Sequence, residues 1–288
     1  MAWIWLDDKI YPQIQRNQYN ILYDCENKNA EDFRYAVADI SKTFLFDKAV
    51  KTLKIRVSAD NTYILRINGK FIGIGPASSG GDFLCVGKTP KHYADIYELD
   101  FAESTDRLEL AAKVSLQPEM LTNYSRGHGG FYFSGTVSFK DGTSENIETD
   151  STWRAVPDMA YNDFRSYNSE NKEAQSFVNA CEIEDIWYPE DSYIPPRSYN
   201  GIFETEVKVA AGKTENLDFE FDKIYGVYPV LSSDGKCEIT LKTRELKGQE
   251  ETEENIVFGN RGEEYFSFRM HSAGEGKLII ENKDSDDI

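Results

Sequence analysis

Two glycine-bearing stretches hold the side chains best suited to touching a ligand: GPASSGGDFLCVGKTPKHY (Gly75–Tyr93) and LTNYSRGHGGF (Leu121–Phe131). Asp82, Phe83 and His92 in the first, with Tyr124, Arg126 and His128 in the second, combine ring faces with a carboxylate, a guanidinium and imidazoles. That mixture is the chemistry of sugar recognition, in which rings meet C–H surfaces and polar groups meet hydroxyls. A surface that packs against another protein domain uses the same residues, so the two readings stand side by side.

Catalytic patterns are absent. Cleaving a glycoside with inversion takes an acid and a base carboxylate about 6.5–9.5 Å apart. With 50 Asp and Glu residues some pair meets that by chance, so Glu119, Glu182 and Glu184 carry no assignment. There is no GxSxG, and His92, His128 and His271 have no partner at a telling spacing. A metal ligand is conceivable at His128, but a lone histidine in a glycine loop is more often structural or solvated. The run DMAYND (Asp158–Asp163) lacks the alternating oxygen ligands of a calcium loop. Gly73 to Gly80 fails as a phosphate loop because no helix follows it. The expectation is no catalytic residue, no metal and no cofactor in this chain.

The elements that must carry the two stretches read as strands. Period-two patterns dominate: KTFLF, LKIRVSA, YILRING with KFIGIG, RLELAAKVSL, GFYFSGTVSFKDG and EIEDIW. After Pro195-Pro196 come IFETEVKVA, ENLDFEFD, YGVYPVL, CEITLKTREL, EYFSFRMHS and GKLIIEN. Asn68-Gly69, Asp141-Gly142, Asp234-Gly235, Ala211-Gly212 and Gly274-Glu275-Gly276 supply turn chemistry between them. In ILRINGKFIGIG, Asn68-Gly69 suits a type I′ hairpin, with Leu65 and Ile67 on one face and Ile64 and Arg66 on the other. Short helices are expected only near Ala30–Tyr35 and Glu170–Ala180. Trp153 and Trp187, in or beside strands, read as core residues. The fold class is all-β: two antiparallel β-sandwich, jelly-roll-like domains. The stiff YIPPR connector (Tyr193–Arg197) sets the expected boundary, giving domains 1–192 and 193–288. The polar tail ENKDSDDI is expected to fray.

Composition narrows the partners. The 288 residues are 40% hydrophobic, enough for sizeable cores, and carry a formal charge of −18. Such acidity repels phosphate backbones and anionic lipid, so neither nucleic acid nor a membrane surface is an expected partner. No run approaches the ~20 apolar residues of a spanning helix. The start, MAWIWLDDKIYPQIQR, has no basic and apolar leader pattern, which reads as cytoplasmic. Cys25, Cys85, Cys181 and Cys237 lie far apart with no CxxC, which reads as reduced thiols.

An ordered succession of short patterns carries a family resemblance. Trp3-Ile4-Trp5, Phe33-Arg34, Ser58-Ala59-Asp60, Tyr63, Asn68-Gly69, Gly73, Gly75-Pro76 and Tyr97-Glu98-Leu99 follow one another, and then GGFYFSGTVSFKDG and TDSTWR (Thr149–Arg154). This resembles the N-terminal β-sandwich region of α-L-rhamnosidases of glycoside hydrolase family 78. The resemblance implies a galactose-binding-like accessory sandwich for residues 1–192 and a second, smaller sandwich beyond. It also implies that hydrolysis belongs to a C-terminal catalytic (α/α)6 barrel, for which this chain has no helical repeats. The implied partners are that barrel and a rhamnose-containing glycan. A free-standing carbohydrate-binding module and a structural interaction module without sugar affinity are the alternatives.

Overall fold

Alternating residues become strands through most of the chain, and several strands run longer than the sequence pattern suggests. The computed structural model describes residues 2–7, 35–78, 91–116, 129–163, 165–172, 178–183 and 187–288. In chain order the strands are β1 (Trp3–Trp5), β2 (Ala36–Asp60), β3 (Thr62–Ile67), β4 (Lys70–Gly75), β5 (Lys91–Leu116), β6 (Gly130–Phe139), β7 (Ser144–Glu148) and β8 (Arg154–Pro157). Then come β9 (Tyr161–Asp163), β10 (Ser166–Asn168), β11 (Val178–Asn179), β12 (Cys181–Ile183), β13 (Tyr188–Asp191) and β14 (Thr214–Val227). The last are β15 (Val230–Ser233), β16 (Cys237–Arg244), β17 (Thr252–Phe258), β18 (Glu263–Phe266) and β19 (His271–Asn282). The fold is all-β.

Two units divide the chain. One comprises Met1–Pro157 and Gln175–Asn200, the other Asp158–Ala174 and Gly201–Ile288. A single cut at 192/193 has no place for the excursion of residues 158–174 into the second unit.

In the first unit, β2 and β5 are long enough to serve two layers. The first half of β2 pairs with the last part of β5 and with β8, and its second half pairs with the start of β5 and with β6. Register shifts between Leu45 and Val50, and again between Val50 and Thr52, separate the halves. Parity changes across them: Ala38 and Ile40 face the core before, Leu53, Ile55 and Val57 after. A bulge is what lets one strand turn its apolar set to the same core from both layers. That core is continuous and includes Trp5, Tyr63, Phe131, Phe133 and Trp153. Trp153 is a core residue, as expected, and its indole N–H donates to the Glu148 carbonyl at 3.0 Å. The Asn68-Gly69 turn closes β3–β4 with positive φ at both residues, 50° and 75°, as its type requires.

In the second unit, a six-stranded sheet runs β14-β19-β16-β17-β10-β9 beside the two-stranded β15-β18. Tyr265 of β18 packs on Tyr161 and Tyr167, at ring-centroid distances of 5.8 and 5.2 Å. Among the described residues, pairing is antiparallel except for β10 with β17 here and β13 with β5 in the first unit.

Four expectations are corrected. Gly274-Glu275-Gly276 is no turn but lies inside β19. IFETEVKVA forms no strand: Val209 instead exchanges both backbone hydrogen bonds with Ile288, at 2.8 and 3.0 Å. The same exchange, with Asp287 accepting from the Ala211 N–H at 3.0 Å, ties down the tail that was expected to fray. Of the helix expected near Glu170–Ala180, the described residues show a single 3-10 turn, Ser169–Asn171, capped by Asn168, and the strand β11; residues 173–177 lie outside the described residues. Of the other expected helix, Ala30–Tyr35, all but Tyr35 lies outside the described residues.

Candidate functional site

Strand register brings the roots of three chain segments to one end of the first unit. Asp60 lies opposite Gly130, Thr62 opposite Ser115, and Tyr63 opposite Gly75. Ala36 lies opposite Leu116, Val57 opposite Asp95, and Ile4 opposite Phe131. The described residues that flank segments 8–34, 79–90 and 117–128 therefore all lie at that end. The second and third contain Asp82 and Phe83, and Tyr124, Arg126 and His128, which themselves lie outside the described residues.

The floor of this end is a buried polar cluster that the sequence reading missed. The Tyr63 hydroxyl donates to Asp95 Oδ2 at 2.5 Å and lies 3.0 Å from the Tyr97 hydroxyl. The Ala77 N–H reaches both Asp95 oxygens, at 2.9 and 3.0 Å. Asp95 thus holds the chain two residues after β4 against β5, fixing the start of the Gly75–Tyr93 stretch. Gly75 is required there, because a Cβ would strike the Asp95 carboxylate and the Tyr63 ring. Burial pushes the Asp95 carboxyl above its ordinary value, against the lowering pull of the Tyr63 and Ala77 hydrogen bonds. Burial likewise pushes the Tyr63 and Tyr97 hydroxyls up, so both stay protonated donors. Asp95 is fully buried, and its role is to position the stretch, not to touch a ligand. The signal was in YADIYELDF: Asp95 shares the parity of Tyr97, Leu99 and Phe101, a carboxylate on the apolar face.

His92 sits on the opposite face of β5, 2% exposed, in a packet with Trp3, Ala94, Tyr132 and Trp187. Its ring lies 5.4 Å from that of Trp3 and 4.8 Å from that of Trp187. The Trp3 indole N–H donates to the Trp187 carbonyl at 3.2 Å, closing the packet over β1. Gly130 must lack a side chain there, since a Cβ would come 2.8 Å from the Trp187 ring. Trp187 is thus buried, as expected, though in this outer packet. Beside it the surface carries Tyr188 and Tyr193, exposed by 61% and 77%, and the Tyr93–Tyr193 ring pair at 5.6 Å. Arg56 ties this surface together through Asp191 at 2.5 Å and the Pro189 carbonyl at 3.1 Å.

Glu182 accepts from the Ser151 N–H at 2.8 Å, a structural bond; Glu119 and Glu184 lie outside the described residues. Cys181 and Cys237 are free thiols. Among the described residues no three His, Cys, Asp or Glu side chains cluster as a metal site requires, and no helix is long and apolar enough to cross a membrane.

His271, left without a partner by sequence spacing, has one in the second unit. Its Nε2 lies 2.9 Å from Glu254 Oε1, and its Nδ1 lies 2.8 Å from the Thr243 hydroxyl. Glu254 also accepts from Tyr265 at 3.0 Å and Ser267 at 2.7 Å. The order Thr, His, carboxylate matches a nucleophile relay in outline. All three are buried, with no more than 2% exposure, so the relay has no access to substrate and its work is structural.

No protein-family model matches the chain, and no curated protein matches it by sequence. Solved structures do match in fold. The α-L-rhamnosidase of Dictyoglumus thermophilum aligns at a TM-score of 0.56 and 15% identity, over 88% of this chain and 32% of the enzyme. That of Streptomyces avermitilis, complexed with L-rhamnose, aligns at 0.55 and 15%, over 86% and 28%. That of Aspergillus terreus aligns at 0.58 and 13%, over 88% and 36%. The chain spans about a third of the length of each of these enzymes. It has the fold of a β-sandwich region of α-L-rhamnosidases.

Proposed function

We propose that the chain serves as a non-catalytic β-sandwich region of an α-L-rhamnosidase-like glycoside hydrolase, and that the Asp95 end of its first unit contacts carbohydrate. The observation that carries this reading is the convergence of the roots of segments 79–90 and 117–128 on the buried Tyr63–Asp95 pair. Those segments hold five of the six side chains whose chemistry suits sugar. The fold likeness to rhamnosidases supports the setting. In that setting the sandwiches support a helical catalytic barrel, and hydrolysis belongs to the barrel.

Titration with L-rhamnose and methyl rhamnosides, followed by intrinsic tryptophan fluorescence, tests the binding. A saturable change is expected. A flat response from folded protein overturns the carbohydrate part, and hydrolysis of an aryl rhamnoside by the purified chain overturns the non-catalytic part. A protein-docking reading of the same unit rests on exposed Tyr188, Tyr193 and Ile194. It is favoured if rhamnosides leave the fluorescence unmoved.

A further inference from the structure

A cleft of about 420 Å³ opens in the second unit, where β16 ends, β17 begins and the chain enters β19. Its wall includes Arg244, Glu245, Gln249, Glu250, Arg269 and Met270. Two guanidinium and two carboxylate side chains share this wall, so it presents charges of both signs. An anion entering it faces Glu245 and Glu250, and a cation faces Arg244 and Arg269. A neutral molecule rich in hydroxyls meets donors and acceptors together, because each hydroxyl both donates and accepts.

The wall is held in place by groups around it. Arg244 is fixed by ion pairs to Glu275 and, at 3.4 Å, to Glu251. Gln249 Oε1 accepts from the Leu246 N–H at 3.2 Å, which fixes the amide and leaves its NH2 to serve as a donor. The Arg269 N–H donates to Ser267 Oγ at 3.1 Å, and Ser267 donates in turn to the buried Glu254. A Cβ on Gly274 would strike the Glu245 carbonyl, so that glycine admits the 245–251 turn close against β19. Met270, 52% exposed, gives the cleft an apolar element, with room made by Gly226, whose Cβ would come 2.9 Å from its sulfur. Donors and acceptors set beforehand around one soft apolar contact are how a small-molecule site gains orientation without a large ordering cost. The volume falls within the range of ligand pockets, about 300–1,000 Å³.

We propose that this cleft is a binding site for a neutral saccharide of one or two rings, with ring hydroxyls on Gln249 and the charged pairs and a C–H face on Met270. It is separate from the contact proposed for the first unit, and either stands without the other. All four tryptophans, at 3, 5, 153 and 187, belong to the first unit, whereas Met270 belongs to the second.

The test is methyl-methionine NMR on the full chain, titrated in turn with L-rhamnose, D-galactose, D-glucose and their methyl glycosides, with D-glucuronate as the charged control. A Met270→Leu variant assigns the resonance. The expected result is a saturable shift of the Met270 methyl with at least one neutral sugar, while the half-exposed Met159 methyl stays still. Gln249→Ala should weaken that affinity about tenfold, the loss of one or two well-placed hydrogen bonds. No Met270 shift with any neutral sugar overturns the proposal. Unchanged affinity in Gln249→Ala, or glucuronate binding as tightly as the neutral sugars, overturns it equally. Loss of the tryptophan response with the Met270 shift retained overturns only the first-unit reading.

Discussion

The Tyr63 hydroxyl donates to Asp95 across β3 and β5 at 2.5 Å, from a tyrosine and an aspartate that are both fully buried. Neither side chain has water to fall back on, so each holds the other in place. Tyr63→Phe should destabilise the first unit by about 1–3 kcal/mol, the cost of removing a buried donor to a carboxyl. Because Asp95 also holds Ala77, hydrogen exchange at the Ala77 amide should accelerate in the variant by more than the global loss of stability. Equal change at Ala77 and at the core amides of β2 would remove the anchoring role.

The same carboxyl gives a pH signature. Burial raises its pKa above the ordinary 3.8, so the folded chain binds this proton more tightly than the unfolded chain. Its contribution is therefore full below 3.8 and is lost as pH rises through the raised value. Asp95→Asn, which copies the protonated form, should lack that loss. The difference in unfolding free energy between wild type and variant should grow in the variant's favour across this window. A difference that is flat with pH would contradict the assignment.

Asp141 should behave in the opposite sense. The Thr143 hydroxyl and N–H, with Lys48 at 3.0 Å, hold its carboxyl down at about 2. A lowered pKa stabilises the fold above 3.8 and loses that stabilisation as pH falls toward about 2. Carboxyl-carbon NMR should place the Asp141 midpoint below that of the other exposed aspartates. Asp141→Asn should erase part of the acid-side slope, and a midpoint near 3.8 would refute the turn geometry as its cause.

In the second unit, Glu254→Ala leaves Tyr265 and Ser267 without their shared acceptor and takes away the carboxylate beside His271 Nε2. Breaking a buried pair from one side costs about 3–5 kcal/mol. Replacing both members by Glu254→Leu with His271→Leu removes the buried charge together with its partner, and should cost less than either single change. Denaturation of Glu254→Leu, His271→Leu and the double variant checks the ordering. A double variant as unstable as the sum of the singles would mean that the pair is not coupled.

Legibility in the sequence follows from how local each feature is. The Asn68-Gly69 turn, the alternation of β3, β4, β6 and β16, and the buried Trp153 depend on neighbours a few residues away, and all were readable. The parallel pairing of Tyr167 with Ile256 joins residues far apart in the chain, and periodicity does not encode it. IFETEVKVA alternates as well as any strand; its backbone lost the competition to Ile288, an outcome set by tertiary contact. The buried clusters were half visible. Asp95, Thr243 and Glu254 each occupy a position whose parity is otherwise apolar, and a polar residue on that face signals a buried partner without naming it. The register that gathers the three segment roots at Asp95 needed coordinates, because it joins strands across the whole unit.

Gly129 marks the re-entry of segment 117–128 and combines two demands that can be separated by mutation. Its φ of +69° lies in the left-handed region, and a Cβ there would strike the Trp5 indole. Gly142 shares the first demand, with φ +88°, but has open space around it. Gly142→Ala should therefore cost only the backbone strain, about 1–2 kcal/mol. Gly129→Ala adds the displacement of a fully buried tryptophan, roughly 1–3 kcal/mol more. Because Trp5 is fully buried in the same core, the second variant should also shift the tryptophan emission spectrum, and the first should not. Equal costs for the two, with unchanged emission in both, would mean that the segment re-enters the fold without leaning on Trp5.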